Sequence, residues 1–233
     1  NFADEFELML VSPSGKSYRM VNQPGKTEYL YADTKVVVYN GLPTPYNVRQ
    51  EIYFVWIPQK EEIESGQWNL KITPVHLVNG EYQMWLPVSS GSNRQTRFLE
   101  PSKTLTLTIP STADKVISVG AYNVRYRSYA EFSGRGDTSL CVAKPDLVAP
   151  GVGILGAAPG GGENRMSGTS MATPFVTGAA ALMMEWGIIR GNDPYFYGER
   201  VKAYLHRGAR KMPGFETYPN DEVGYGSLCK TIF

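Results

Sequence analysis

Short alternating runs of apolar and polar residues fill residues 5–100, and longer apolar runs take over after residue 101. Glu5-Phe-Glu-Leu-Met-Leu-Val11 alternates in part and stops at the turn Ser12-Pro-Ser-Gly15. A second turn, Gln23-Pro-Gly25, precedes a Tyr- and Val-rich stretch over residues 28–39. Gln50-Glu-Ile-Tyr-Phe-Val-Trp-Ile57 has the β-branched and aromatic content of a buried strand. In Trp68-Asn-Leu-Lys-Ile-Thr73 the Trp, Leu and Ile face one way. Asn79-Gly80, between Val75-His-Leu-Val78 and Glu81-Tyr-Gln-Met-Trp85, is the strongest two-residue hairpin signal. Six or more strands at this spacing predict a β-sandwich over residues 1–100.

Gly91-Ser-Asn93 and the residues to Pro101 read as a linker, so a second unit is expected over residues 101–233. Lys103-Thr-Leu-Thr-Leu-Thr-Ile109 alternates strictly and predicts a half-buried strand, while Val116-Ile-Ser-Val119 is apolar enough to be central in a covered sheet. Across residues 175–184 Thr177 is the only hydrogen-bonding side chain, which predicts a central helix buried on all sides and stopping at Gly187. Val201, Tyr204 and Leu205 recur at helical spacing among charges, as on a surface helix.

Composition makes the chain globular throughout: of 233 residues, 42% are hydrophobic and only 19% charged. The balance of 23 basic against 22 acidic residues leaves no electrostatic footprint for nucleic acid or an anionic membrane. No run approaches the roughly 20 apolar residues needed to span a membrane. Cys141 and Cys229 are too few for a disulfide framework, and a bridge between them stays open. Tyr29, Tyr31, Tyr53, Trp56, Trp68 and Trp85 at strand spacing read as core and cross-strand pairs rather than a ligand groove. No cofactor or metal follows from the sequence.

Candidate chemistry collects at the entrance of the apolar helix. Ser167, Gly168, Thr169 and Ser170 place short hydroxyls where helix N–H groups are unpaired and the dipole is positive, with Pro174 expected in the first turn. Such hydroxyls cap a helix, such a terminus holds phosphate, or a serine there attacks a carbonyl whose oxyanion the N–H groups then meet. The stretch Gly168-Thr-Ser-Met-Ala-Thr-Pro174 resembles the serine motif of the subtilisin-like serine proteases. Ile109-Pro-Ser-Thr-Ala-Asp-Lys-Val-Ile-Ser-Val-Gly-Ala-Tyr122, Phe132-Ser-Gly134 and Lys144-Pro-Asp-Leu-Val-Ala-Pro-Gly151 follow the same family's order, as does the closing Val223-Gly-Tyr-Gly-Ser-Leu-Cys229. The resemblance implies that Ser170 is the nucleophile, that Thr169 lies beside the oxyanion, and that residues 101–233 are the C-terminal part of a subtilisin-like α/β domain with a mostly parallel sheet. Leu10-Val-Ser-Pro-Ser-Gly-Lys16 and Gly66-Gln-Trp-Asn-Leu-Lys-Ile-Thr73 resemble the jelly-roll modules of some subtilases. The order of the two parts is similar to clostridial germination proteases of the Csp type.

That family's triad runs Asp, His, Ser along the chain, so its first two members are expected upstream of residue 1, in a segment that also carries the oxyanion-hole amide. His76 reads as an exposed strand position, and His206 as part of a solvated helix face. Asp146, misplaced for a triad acid, reads as a turn or cap residue. Arg135-Gly-Asp137 is a weak adhesion match in a glycine-rich loop, and Gly160-Gly-Gly162 is expected at the rim of the active site. Three functions compete: a serine endopeptidase acting on proteins or peptides with the upstream Asp and His, a dead protease that binds or regulates, and a ligand-binding jelly roll on a protease remnant. The resemblance implies a secreted, cell-surface or spore-associated location.

Overall fold

A computed structural model describes residues 2–21, 23–42, 44–45, 50–87, 95–136 and 143–229. The chain divides into two compact units, Asn1–Met84 and Trp85–Phe233, where the composition had placed the division near residue 100. The expected linker at Gly91-Ser-Asn93 lies outside the described residues.

In the first unit β1 (Glu5–Val11), β2 (Ser17–Met20) and β6 (Asn69–His76) form one sheet in the order β2-β1-β6. A second sheet has the order β3-β4-β5, from β3 (Gly25–Tyr31), β4 (Thr34–Asn40) and β5 (Ile52–Pro58), and every pairing is antiparallel. Register follows the period-two pattern: Leu8 opposes Ile72 and Leu10 opposes Leu70, while Val36 opposes Trp56 and Val38 opposes Phe54. Alternate residues from both sheets therefore meet in one core, around Leu8, Leu10, Met20, Tyr31, Val36 and Val38. Tyr31 is wholly buried, donates its hydroxyl to the Leu10 carbonyl at 3.1 Å, and sits edge-on to Trp68 at 5.1 Å. Burial pushes the Tyr31 hydroxyl pKa up.

Two expectations for this unit fail. Residues 50–57 do not form a fully buried strand: β5 is an edge strand with Ile52, Phe54 and Trp56 against the core and Tyr53 60% exposed. Asn79-Gly80 does not close a hairpin, because residues 81–87 form no strand. The Asp4 carboxylate instead accepts the N–H groups of Val78, Asn79 and Gly80 at 2.6, 3.0 and 3.1 Å. Three hydrogen bonds to a charged acceptor outcompete a turn propensity that has no second strand to zip onto.

The second unit is built on β7 (Val119–Asn123), between β8 (Ser128–Tyr129) and β9 (Leu147–Pro150). β7 and β9 are parallel, β7 and β8 antiparallel, and Ser227 of the closing segment bridges Val148 in parallel. A separate hairpin pairs β10 (Ile154–Ala157) with β11 (Glu163–Met166) and delivers the chain to α1 (Thr169–Met184). After α1 comes one wide π turn, Glu185–Ile189, and later α2 (Glu199–Gly208).

Helix α1 packs Ala172, Val176 and Met183 into a core with Ala121, Leu147, Ala149, Val201 and Leu205. Each buried Val, Leu or Met side chain contributes about 1.5–3 kcal/mol there. The expected burial on all sides is corrected. Phe175, Leu182 and Met184 are 43%, 64% and 39% exposed, because among the described residues the only sheet against the helix is that of β7 and β9, on one face. Contrary to the expectation that no run approaches the length of a membrane span, Thr169–Ile189 is long and apolar enough, by length and composition alone, to cross a membrane. Gly187 is no helix stop: it lies inside the π turn, where a Cβ would approach the Cβ of Phe196 to 2.4 Å. Residues 103–109 form no strand, since Leu105 adopts φ 57° and, among the described residues, only the N–H groups of Leu105 and Thr106 bond to a distant backbone, at Gly136 and Arg135. The strand expected at residues 116–119 starts instead at Val119.

Candidate functional site

The hairpin β10–β11 and the end of β9 converge on the entrance of α1. Ala158 donates its N–H to Gly162 at 3.1 Å across the tip, so Gly160, Gly161 and Gly162, all with positive φ, close the hairpin. At its other end the Ser167 hydroxyl accepts the N–H of Gly153 at 2.9 Å, and the N–H of Gly168 donates to the Gly151 carbonyl at 2.8 Å. Gly151 permits that approach, since a Cβ there would lie 2.5 Å from the Cβ of Ala121 and 3.0 Å from the Gly168 carbonyl oxygen. Two short contacts thus fix the chain immediately before Thr169 and Ser170.

Thr169 and Ser170 are the first two residues of α1, behind the N-cap residue Gly168, and no side chain caps the helix. The Ser and Thr hydroxyls are therefore not spent on capping. Met171 and Ala172 both donate to the Gly168 carbonyl, at 3.1 and 3.3 Å, whereas among the described residues nothing accepts from the N–H of Thr169 or Ser170. Ser170 is exposed and its hydroxyl has no hydrogen-bond partner among those residues. Pro174 lies beyond the first turn, where its missing N–H leaves the Ser170 carbonyl without the usual bond from four residues on. Thr173 and Thr177 turn their hydroxyls back to the carbonyls of Thr169 and Thr173 at 3.0 and 3.2 Å. The result is an uncapped positive helix end with two free N–H donors beside an exposed serine hydroxyl. Such an end is suited to a developing oxyanion.

His206 and Asp146 depart from their sequence reading. Asp146 is fully buried just ahead of β9 and is neither a turn nor a cap residue. Its carboxylate accepts from His206 Nε2 at 2.8 Å, Lys144 Nζ at 3.0 Å and the Ser118 N–H at 2.6 Å, with Lys202 Nζ at 3.2 Å. His206 is not on a solvated face: its ring also stacks on Tyr225 at 4.0 Å. Burial pushes the Asp146 carboxyl up, but the bonds from His206, the Ser118 N–H and Lys144 outweigh it and hold the pKa at about 2. Burial also lowers the Lys144 pKa, against the pull of Asp146. Lys144 and Lys202 both reach the Val116 carbonyl, at 2.6 and 3.3 Å, and Lys202 that of Asp114 at 2.8 Å.

This Asp–His pair is not joined to Ser170. Asp146 and Gly151 stand at opposite ends of β9, whose four extended residues separate them by roughly 16 Å. A charge knot at one end of β9 and the Ser167–Gly153 contact at the other hold the strand on which α1 rests. The only local signal for the knot was the four-residue spacing of Lys202 and His206 on one face of α2.

His76 is exposed at the end of β6, as the sequence implied. Arg135 pairs with Glu222 at 3.0 Å, while Asp137, the other half of the adhesion match, lies outside the described residues, as does Cys141. Cys229 is buried. Among the described residues no group of His, Cys, Asp and Glu is gathered as a metal site.

A subtilase family model, Peptidase S8, matches residues 17–226. An intracellular serine protease of Paenibacillus polymyxa is 46% identical over 110 residues, which are 45% of this chain and 32% of that protein. Serine protease AprX of Bacillus subtilis is 33% identical over 126 residues, 46% of this chain and 27% of that protein. The solved structure of the Clostridium perfringens CspB protease superposes with a TM-score of 0.81 at 39% identity, over 98% of this chain and 48% of that one. The chain thus spans about half of that structure and a third or less of those two relatives.

Proposed function

The chain belongs to the subtilase family, and from that premise we propose that Ser170 is the nucleophile of a serine endopeptidase whose Asp and His come from an upstream segment. Ser170 Oγ attacks the scissile carbonyl of a protein or peptide while the upstream His takes its proton and the upstream Asp orients that His. The oxyanion is met by the N–H groups at the start of α1, with Thr169 beside it, and water then hydrolyses the acyl-enzyme. The observation that carries this reading is the exposed Ser170 hydroxyl at an uncapped helix start with the N–H groups of Thr169 and Ser170 unspent. The sole histidine paired with a carboxylate among the described residues, His206, is engaged in the buried knot, which favours an external base.

The upstream segment has a second role in this reading: it covers the exposed apolar face of α1 and completes a mostly parallel sheet. The two three-stranded sheets of the first unit, sharing one core, support a jelly-roll-like module over residues 1–100 that precedes the serine segment.

The test is complementation. The 233-residue chain alone is expected to lack enzymatic peptidase activity, and adding the upstream segment is expected to restore it in the wild type but not in Ser170→Ala. Robust hydrolysis by the chain alone, removed by Ser170→Ala, would mean that the base lies within these residues.

A further inference from the structure

The last register pair of the β10–β11 hairpin sets Ile154 opposite Met166, and the next rung would join Gly153 to Ser167. No backbone pair forms there, because Gly153 turns out of the extended conformation at φ 63°. Side chains take the place of the rung. The Ser167 hydroxyl accepts the N–H of Gly153 at 2.9 Å, and Arg165 Nη1 donates to the Gly153 carbonyl at 2.9 Å. Both polar groups of one glycine are therefore held by two residues of the segment that runs into α1. We propose that Arg165 and Ser167 are positioning residues, which grip Gly153 between them and so set where Ser170 stands relative to the scissile carbonyl. The inference rests on Ser170 being the nucleophile and adds two residues that act through Gly153.

Little else fixes the start of the helix. Packing of Ala172, Val176 and Met183 holds the axis of α1, but Ser170 stands ahead of the first of these buried residues. Gly168, the N-cap residue, has no side chain, and no other side chain caps the helix. One backbone bond, from the Gly168 N–H to the Gly151 carbonyl at 2.8 Å, ties the approach to β9, and Gly151 is held in turn by the Tyr122 carbonyl at 3.1 Å. A single tie lets the segment pivot about Gly151. The two bonds to Gly153, two residues further along, remove that freedom. Both are exposed and add little net stability. Placement weighs more, since a displacement of about 1 Å costs a reaction roughly 100-fold in rate.

The test uses the protease with its upstream segment. Ser167→Ala and Arg165→Met each remove one bond, whereas Ser167→Thr keeps the hydroxyl and Arg165→Lys keeps a donor. For each variant, kcat and KM on one peptide, the rate of fluorophosphonate labelling at Ser170 and the melting temperature are measured. Ser167→Ala and Arg165→Met are expected to lower kcat about 10- to 100-fold, with the labelling rate falling in parallel and KM within about twofold of the parent. The Thr and Lys variants should recover most of the loss. Because both side chains act on Gly153, the double variant should lose less than the product of the single losses. Unchanged kcat and labelling in Ser167→Ala and Arg165→Met overturn the inference. So does a loss confined to KM, a loss that Thr and Lys fail to recover, or a double variant that loses the full product. If Ser167→Ala does not fold, Arg165→Met against Arg165→Lys decides by the same criteria. With the parent labelled at Ser170, variants that match it sink this inference alone. A parent not labelled at Ser170 overturns the nucleophile assignment and this inference with it.

Discussion

Replacing Asp146 by Asn removes one charge from the knot below β9 and leaves the shape almost unchanged. The carboxylate is wholly buried and faces two lysines, each under a tenth exposed, as well as His206. Its pKa of about 2, against 3.8 for an ordinary aspartate, corresponds to about 2 kcal/mol of folded-state stabilisation. Removing one partner of a buried ion pair costs about 3–5 kcal/mol because the other charge is stranded. A loss of about 3 kcal/mol is therefore expected for Asp146→Asn. The folded pKa is depressed, so the contribution is complete above pH about 3.8 and disappears as the pH falls through about 2. The assay is urea unfolding of the 233-residue chain at several pH values, followed by tryptophan fluorescence. The transition of the second unit should move to lower urea at neutral pH, and its acid-dependent limb below pH 4 should flatten. Adding Lys202→Met should restore part of the loss, since it removes a stranded ammonium from the same network. A midpoint unchanged within the ~0.5 kcal/mol typical of surface substitutions would refute the claim that charge pairing at Asp146 holds the strand.

Two further outcomes are expected. Residues 1–100 expressed separately should be soluble and unfold cooperatively, whereas residues 101–233 should aggregate or dimerise unless the upstream segment is supplied, because Phe175, Leu182 and Met184 are exposed on one helix. A monomeric, cooperatively unfolding 101–233 fragment, seen by sedimentation and calorimetry, would contradict this. Asp4→Ala should speed amide exchange at Val78, Asn79 and Gly80, which all donate to its carboxylate. The N–H groups of Asn79 and Val78 lower the Asp4 pKa, so in the wild type this turn should stay protected above pH about 3.8 and open as the pH falls below it. Unchanged exchange in Asp4→Ala would show that the turn holds itself.

Local pattern revealed what local forces decide. Alternation placed β1 and β6 because Leu8, Leu10, Leu70 and Ile72 sit on one face of each strand whatever their partners. The serine segment was legible through its resemblance, and the structure adds that Ser170 is exposed at an uncapped helix start. Long-range contacts were not legible. Asp146 meets His206 across 60 residues, and Asp4 meets Val78 across 74. Neither pair leaves a trace in any window of ten. The expected strand at residues 103–109 failed for a related reason. Alternation creates a face, but a strand also needs a continuous partner, and among the described residues only Leu105 and Thr106 of this stretch bond through their N–H groups to a distant backbone. Helix α1 was read correctly as apolar all round and incorrectly as buried all round, since burial depends on how much covering chain is present.

Because Ser167, Thr169 and Ser170 carry hydroxyls within one turn of each other, the central claim comes down to which oxygen is nucleophilic. The direct measurement is to treat the protein containing its upstream segment with a fluorophosphonate and map the modified residue by peptide mass spectrometry. A single adduct on Ser170 is expected, absent in Ser170→Ala, with Ser167 unmodified because its hydroxyl is held by the Gly153 N–H. An adduct on Ser167 or Thr169, or labelling that persists in Ser170→Ala, would contradict the assignment.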